Sequence, residues 1–288
     1  MRFHPCSRFA ALATLAAFTL YGAAHADPVD FPAARSAHPT RLTRIGPSPQ
    51  PAPRDLAPPD GVEEVVYPSG ALALRGWLAT PRDGRPLHPA VVFLHGGFAF
   101  AQDDFDMARP FLDAGYTVFC PWMRAENGNP GHFELMFGEV DDALAAVRWI
   151  RARPGVDAAH VFLFGHSVGG GTAELTSLYP NRGVLLSGSA GGLYTPGAFP
   201  GWSQFAPFDT SDKTEDALRS LPANLSAMRG RHIAYIGDKD QPAGFVATVQ
   251  GMARAASAPL TAVSVPGDHF SSVPAAMAAF IQAMKATR

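Results

Sequence analysis

A serine flanked by glycines is the sharpest chemical signal in the sequence. It lies in the motif GHSVGG at residues 165–170, directly after the apolar run at 161–164. A nucleophile on a tight strand-to-helix turn needs small neighbours two positions before and after it, because strand and helix approach closely there. The start of the following helix aims backbone N–H groups and its positive dipole end at the same point. This context predicts that Ser167 is a nucleophile rather than an ordinary serine in a glycine-rich turn.

A serine hydroxyl attacks at neutral pH only when a base accepts its proton and an acid orients that base. His269 is the candidate base, because it lies in the loop between the last predicted strand and the final helix. Two aspartates compete for the role of the acid in the loop after the preceding strand. We expect Asp240 to face His269, because it lies past the turn, and Asp238 to cap or brace the loop. Asp268, next to the base, is expected to be a solvated neighbour.

The oxyanion of a tetrahedral intermediate needs two fixed hydrogen-bond donors. The backbone N–H of Val168, directly after the nucleophile, is the first candidate. The second is the N–H of Gly97, in the loop after the strand at 91–94, because a residue without a Cβ lets the backbone approach a substrate closely. His95 begins this loop and is expected to brace it rather than to act as the base.

Four large side chains near predicted strand ends are candidates for a substrate pocket: Phe98, Trp122, Arg124 and Trp202. Ligands of open α/β sheets bind beyond the carboxyl ends of the strands, so these side chains are expected at the mouth of the site. Two alternatives remain open from the sequence. The aromatic residues around Trp202 either form the pocket or pack a loop onto the domain, and Arg124 either holds a substrate carboxylate or pairs with Glu126.

The elements that must position these residues alternate between strand and helix. Short apolar runs are typical of buried parallel strands, and apolar residues at helical spacing indicate helices. A β-hairpin is expected at 64–79, strands at 90–94, 116–120, 161–164, 183–186, 232–236 and 260–265, and helices at 106–114, 135–152 and 274–286. This order predicts a three-layer α/β sandwich, a mostly parallel sheet with helices on both faces.

The first 60 residues have a different composition. Arg2 and Arg8 precede an uncharged apolar stretch, and Ala24-His25-Ala26 fits a signal-peptidase site. We expect a signal peptide at 1–26, cleaved after Ala26, because the stretch is shorter than the roughly 18 apolar residues that span a bilayer. Residues 27–60 contain nine prolines and predict an extended leader, and residues 61–288 predict one catalytic domain. The protein is therefore expected to be secreted or periplasmic, without a stable membrane anchor.

Composition excludes several classes of protein. Hydrophobic residues make up 47% of the 288 residues and charged residues 17%, so the chain can build a core. The net charge of −2 leaves no basic surplus for nucleic acid. No His or Cys stands at ligand spacing beside the acidic pairs at 103–104 and 141–142, so helix starts explain these pairs and no metal or cofactor is expected. After cleavage only Cys120 remains, which allows no internal disulfide.

The residues described above resemble the α/β-hydrolase superfamily, whose nucleophile, acid and base follow one another as Ser167, Asp240 and His269 do here. Within it, the chain is similar to the dienelactone-hydrolase and prolyl-oligopeptidase-like branch. The likeness is carried by GWLATP at 76–81, HGG at 95–97, Arg124 and the helix before the serine motif. Two features depart from that branch. Dienelactone hydrolases use a cysteine nucleophile, and oligopeptidases carry a further domain where this chain has a proline-rich leader.

The motif and the resemblance together imply a serine hydrolase that cleaves a small-molecule carboxylic ester through an acyl-Ser167 intermediate. One alternative is a serine peptidase or amidase of the prolyl-oligopeptidase type. Another is a non-catalytic binding protein on a hydrolase scaffold, which would not require all of Ser167, Asp240 and His269. The sequence leaves the acyl and alcohol preference and the oligomeric state open.

Overall fold

The computed structural model describes residues 30–180 and 182–287, and eight strands within them form one sheet. The strands are β1 (Val62–Ser69), β2 (Leu72–Ala79), β3 (His88–Leu94), β4 (Thr117–Pro121), β5 (Val156–His166), β6 (Leu186–Ala190), β7 (His232–Gly237) and β8 (Leu260–Val265). Their order is β1-β2-β4-β3-β5-β6-β7-β8. Strand β2 pairs antiparallel with β1 and β4, and all other neighbours are parallel. The predicted mostly parallel sheet is confirmed.

Helices cover both faces of this sheet. They are α1 (Phe31–Ala37), α2 (Gln102–Asp113), α3 (Gly138–Arg151), α4 (Ser167–Thr176), α5 (Lys213–Ala217), α6 (Phe245–Ala255) and α7 (Val273–Lys285). On one face, Phe111 of α2 and Phe280 of α7 pack against Phe164 of β5. The other face carries α3, α4 and α6. The predicted three-layer sandwich is therefore confirmed.

The parallel strands bring the chemically active loops to one edge. Leu94 pairs with Gly165, and Gly237 pairs with Val265, so β3, β5, β7 and β8 end on the same side of the sheet. The next residues in the chain are His95, Ser167, Asp238 and Pro266, which begin or lie in the loops that the sequence singles out. Crossovers by helices thus place residues about 100 positions apart in the chain side by side.

Four elements have boundaries that differ by three residues or more from the expected ones. Strand β5 begins at Val156 rather than at 161. Strand β6 is Leu186–Ala190 rather than 183–186, because its small residues leave room for side chains on both faces. A Cβ on Gly188, for example, would lie 2.8 Å from the ring of Phe280. Helix α2 begins at Gln102 instead of 106. Helix α3 begins at Gly138 instead of 135, because Leu135 and Met136 have left-handed φ angles of 48° and 62°.

The leader is not extended throughout, which corrects the expectation from its proline content. Asp30 caps α1 by accepting the Ala33 N–H at 3.1 Å, and Pro32 fits the first turn of that helix. The buried Arg35 then ties α1 to the domain, donating to Asp141 at 3.0 Å and to the Phe137 carbonyl at 2.6 Å.

Further along, the leader runs over the domain and pairs with it through its backbone. The Thr43 N–H donates to the Pro207 carbonyl at 2.6 Å, and the Phe133 N–H donates to the Gly46 carbonyl at 3.0 Å. The predicted signal peptide at 1–26 lies outside the described residues. Among residues 30–180 and 182–287, no helix has both the length and the apolar character needed to cross a bilayer.

Candidate active site

Ser167 stands at a sharp turn between β5 and α4. Its φ angle is 54°, a left-handed conformation that costs a residue with a side chain about 1–2 kcal/mol. The flanking glycines make the turn possible. A Cβ on Gly165 would overlap the Gly169 carbonyl, and a Cβ on Gly169 would overlap the backbone oxygens of Leu94 and His95. Close contact between β3, β5 and α4 therefore requires glycine at both positions and holds the serine at the strand end.

His269 and Asp240 lie in line with this serine. His269 Nε2 is 2.9 Å from Ser167 Oγ, and His269 Nδ1 is 3.2 Å and 3.1 Å from the two carboxylate oxygens of Asp240. Gly191 leaves room for the imidazole, since a Cβ there would lie 2.8 Å from His269 Cε1. The hydroxyl, the imidazole and the carboxylate thus form a continuous hydrogen-bonded chain.

The two neighbouring aspartates brace loops instead. Asp238 accepts the Gly267 N–H at 2.9 Å, which ties the loop after β7 to the loop after β8. The exposed Asp268 accepts the Ser271 hydroxyl at 2.7 Å and the Ser271 N–H at 2.8 Å. These hydrogen bonds lower the pKa of Asp268 to about 2. Asp268 therefore shapes the turn that presents His269 and is already bonded to Ser271.

The ring of His166 holds the backbone of His269 in place. Its Nε2 lies 2.9 Å from the His269 carbonyl, and burial lowers the pKa of His166 to about 4. The ring is therefore neutral at ordinary pH, and an Nε2–H donates to that carbonyl. A Cβ on Gly96 would lie 2.9 Å from His166 Nδ1, so the same ring also packs against the loop after β3.

Gly97 lies in the loop after β3. The Val168 N–H lies in the first turn of α4 and has no partner within the helix. Gly97 has a φ angle of 69°. His95 anchors the loop, with Nε2 at 2.9 Å from Glu126 Oε2 and Nδ1 at 2.8 Å from the Gly96 carbonyl. Burial opposes protonation, but the charge and hydrogen bond of Glu126 outweigh it and raise the pKa of His95 to about 9. The imidazolium donates from both nitrogens and fixes the loop.

The leader reaches this loop as well. Gln50 Oε1 accepts the Phe98 N–H at 3.0 Å, and the Ser48 hydroxyl donates to the Phe98 carbonyl. The Ser48 N–H donates to the Ala125 carbonyl at 3.0 Å. Nothing in the sequence pattern singles out Gln50 or Ser48, because both stand among prolines and their partners lie about 50 residues away.

A small pocket lies beside Gly97 and Val168, and leaves only 20 Å³ for the centre of a water-sized sphere. Most of its lining side chains are buried, and we refer to it as the closed pocket. Its walls include Phe98, Met123, Phe133 and Met136, together with Glu126 and Glu139. Burial raises the pKa of Glu139 to about 7, and its oxygens accept the N–H groups of Glu134 and Phe137. Phe98 is thus the one of the four candidate pocket residues that lines this pocket.

The other three candidates lie elsewhere. Trp122 is 2% exposed and packs against the rings of Trp77 and Phe100, so it belongs to the core. Trp202 lies behind Phe98, with ring centroids 6.4 Å apart. The aromatic residues around Trp202 pack their loop onto the domain, since Phe199 and Phe208 are buried against one another.

Arg124 follows neither alternative left open by the sequence. Its guanidinium donates to Asp142 at 2.8 Å and 2.9 Å and to Glu134 at 2.9 Å, whereas Glu126 is paired with His95. Although burial opposes it, the contact with Asp142 holds the pKa of Arg124 above its ordinary value. This charge is committed to fixing the start of α3.

A buried acid on α4 also escapes sequence reasoning. Burial raises the pKa of Glu174 to about 8. It lies against the loop after β6, where Ser189 Oγ is 2.5 Å from Tyr194 Oη and 3.0 Å from His232 Nε2. Within the described ranges, no group of three His, Cys, Asp or Glu side chains is arranged to hold a metal ion.

Comparison with known proteins agrees with this architecture. A model of the alpha/beta hydrolase family matches residues 91–283. The peptidase YtmA of Bacillus subtilis, itself described as uncharacterized, is 29% identical over 119 residues. That match covers 40% of this chain and 44% of the relative, so the chain spans less than half of its length.

Solved structures share the fold at low sequence identity. Dipeptidyl peptidase 4 of Porphyromonas gingivalis superposes with a TM-score of 0.63 at 20% identity, over 77% of this chain and 35% of that one. An esterase of Pyrococcus furiosus superposes with a TM-score of 0.63 at 15% identity, over 85% of this chain and 97% of the esterase. An acylaminoacyl peptidase of Pyrococcus horikoshii superposes with a TM-score of 0.60 at 15% identity, over 78% of this chain and 40% of the peptidase.

Proposed function

The chain belongs to the alpha/beta hydrolase family, and from this we propose that it hydrolyses carboxylic esters through an acyl intermediate on Ser167. The observation that carries the proposal is the hydrogen-bonded chain from Ser167 Oγ through His269 to Asp240, with a 2.9 Å separation at its reactive end. A hydroxyl, an imidazole and a carboxylate in this order activate a serine for attack on a carbonyl.

In the first half of the reaction, His269 Nε2 takes the proton of Ser167 while Oγ forms a bond to the carbonyl carbon. The π electrons move onto the carbonyl oxygen, where the N–H groups of Gly97 and Val168 stabilise the negative charge. Each such donor lowers the barrier by about 3 kcal/mol. Asp240 keeps the proton on His269 Nδ1 and stabilises the imidazolium. The intermediate then expels the alcohol, which receives the proton from Nε2.

In the second half, a water molecule takes the place of the alcohol. His269 Nε2 accepts its proton as the water oxygen bonds to the acyl carbon, and the bond from that carbon to Ser167 Oγ then breaks. The proton returns to Oγ and the carboxylic acid leaves. The same donors act in both halves because the negative charge develops on the same oxygen.

Ester hydrolysis is the first candidate, because the structures that share this fold include esterases. The match to the Pyrococcus esterase covers 97% of that protein. Hydrolysis of an amide is the second candidate, because the curated relative that matches the chain is described as a peptidase.

The test compares the wild-type protein with Ser167→Ala and, as a control, Ser226→Ala at an exposed serine outside the site. We expect wild type and the control to cleave p-nitrophenyl acetate and to react with a fluorophosphonate, and Ser167→Ala to do neither. An unchanged rate in Ser167→Ala overturns the proposal. Turnover of aminoacyl p-nitroanilides without turnover of esters supports the peptidase candidate instead.

We also propose export, with cleavage of the signal peptide after Ala26. The sequence order of positive residues, apolar stretch and small residues supports this. N-terminal sequencing of the protein recovered outside the cytoplasm should begin at Asp27. Recovery in the cytoplasm with the first 26 residues attached contradicts the proposal.

A further inference from the structure

The two sides of Ser167 offer very different room to a substrate. The closed pocket is lined by Val168, the neighbour of Ser167 in the chain, and by Gly97, but not by Ser167, His269 or Asp240. The leaving oxygen must lie within hydrogen-bond reach of His269 Nε2, because that nitrogen returns the proton. The alcohol part of an ester therefore lies on the imidazole side. The carbonyl oxygen lies toward the N–H groups of Gly97 and Val168, which leaves the rest of the pocket that these residues line to the acyl part.

The closed pocket is small enough to limit the acyl group. It leaves 20 Å³ for the centre of a water-sized sphere, against 230 Å³ by the same measure for the groove on the other side of Phe133. A short acyl chain fits such a space, and a long chain meets side chains of the wall such as Phe133 and Met136.

Phe133 separates this pocket from a much larger groove. The groove has a volume of 230 Å³ and is lined by the leader residues Ile45, Pro47 and Pro49, by Phe205 and again by Phe133. Phe133 is 5% exposed, and its ring centroid lies 5.2 Å from that of Phe98. Its backbone is held by the Gly46 carbonyl at 3.0 Å. The ring is therefore fixed as part of the wall between the two spaces.

The imidazole side is open. The side chain of His269 is 34% exposed, and the next residue, Phe270, is 70% exposed. The ring of Phe270 lies edge-on to His269 and His166, with centroids 5.2 Å and 5.5 Å apart. An exposed aromatic ring beside the point where the alcohol departs offers an apolar surface to a large leaving group.

We propose that the preferred substrates are esters of a short acyl group with a larger apolar or aromatic alcohol, and that Phe133 sets the acyl length. This rests on the proposed ester hydrolysis at Ser167. The closed side selects the acid by excluding volume, and the open side accepts alcohols of many sizes.

The experiment measures kcat/KM for p-nitrophenyl acetate, butyrate and hexanoate. In the wild type we expect a fall of at least about tenfold from acetate to hexanoate, since each methylene that does not fit costs about tenfold or more. Phe133→Ala joins the pocket to the groove, so the hexanoate-to-acetate ratio should rise by about tenfold or more. Phe133→Leu, which preserves more of the packing, should raise the ratio less. Ile45→Ala, at a 71% exposed side chain that lines the groove and not the pocket, should leave the ratio within twofold of the wild type.

The ratio within one protein sample does not depend on the folded fraction, and circular dichroism checks each variant. Measurable acetate turnover with a flat chain-length profile overturns the inference but leaves the proposed ester hydrolysis standing. An unchanged ratio in folded Phe133→Ala and Phe133→Leu overturns the role of Phe133. Absence of turnover with every ester contradicts the proposed function itself.

Discussion

The closed and open sides of Ser167 differ in how much of the chain builds them. Segments far apart in sequence line the closed side, namely the loop at 95–98, the stretch at 123–139 and the start of α4. The leader backs them through Gly46, Ser48 and Gln50. The open side consists of neighbours in one loop, His269 and Phe270, with His166 beneath them. A wall fixed from several directions can reject a substrate by shape, whereas a single exposed ring can only add contact area.

The largest expected effect tests what the two sides share. Asp240→Asn should lower kcat by about 10⁴-fold, because the amide stabilises the wrong imidazole tautomer. Since both sides use the same imidazole, the loss should be equal for acetate and hexanoate esters and for small and large alcohols. Asp238→Asn is the matched control, because Asp238 braces Gly267 and does not contact His269. A loss confined to one acyl length would mean that Asp240 acts on the closed side alone.

The next effect concerns the closed side. Gly97→Ala should lower kcat by about 10²-fold, because the substitution strains a φ angle of 69° and displaces the N–H that we propose as a donor to the oxyanion. Its Cβ would also lie 2.8 Å from Gln50 Oε1. Gly84→Ala is the control, since its φ angle of 78° brings the same strain with no neighbour within 4 Å. Steady-state kinetics and thermal unfolding separate the two causes. An equal fall in kcat in both variants would contradict the assignment of Gly97.

A smaller effect concerns the open side. Phe270→Ala should raise KM for naphthyl acetate by about threefold to tenfold, the value of partly burying one aromatic ring, and leave ethyl acetate unchanged. The ratio between acyl lengths should stay constant. Leu87→Ala, at a side chain 57% exposed and outside the described pocket, serves as the control. A change in the acyl ratio without a change in KM would show that the two sides are not independent.

The smallest effect concerns the stability of the fold, which depends on pH through the buried Glu174 of α4. Burial raises the pKa of Glu174 to about 8 from an ordinary value of 4.5, so the folded state holds a proton that the unfolded state releases. The proton on Glu174 therefore stabilises the folded state fully below pH 4.5, and this stabilisation is lost as pH rises through 8. Between pH 7 and 9, the Tm of the wild type should fall by on the order of a few degrees more than that of Glu174→Gln. Parallel falls would mean that Glu174 is ionised in the folded protein.

Features that depend only on residues close together in the chain could be predicted from the sequence. The glycines around Ser167 can be recognised because a close strand-to-helix turn excludes side chains, and the apolar strands because both faces are buried. Strand β6 was misplaced, since its fit depends on Phe280, a residue almost 100 positions away. Helix α1 was missed because one capping aspartate outweighs the local density of prolines.

The pocket residues were harder to predict, because their positions depend on distant partners. Arg124 stands after a strand end, as a substrate ligand would, but the buried Asp142 holds it. Trp122 turns into the core against Trp77 instead of toward the site. Phe133 carries no local signal at all, and its role emerges only when the leader closes over it.

The path of the leader has a consequence for the order in which the protein folds. Its hydrogen bonds to the domain join residues very far apart in the chain. Arg41 and its acceptor Glu215 are 174 positions apart, and Thr40 and its donor Arg219 are 179 positions apart. Contacts that close such long loops form after the local ones, because their entropy cost is met only once the rest is compact. The leader therefore docks late on a sheet that already holds Ser167 at its strand end. We expect a refolding chain to acquire hydrolytic competence first and discrimination between acyl lengths second.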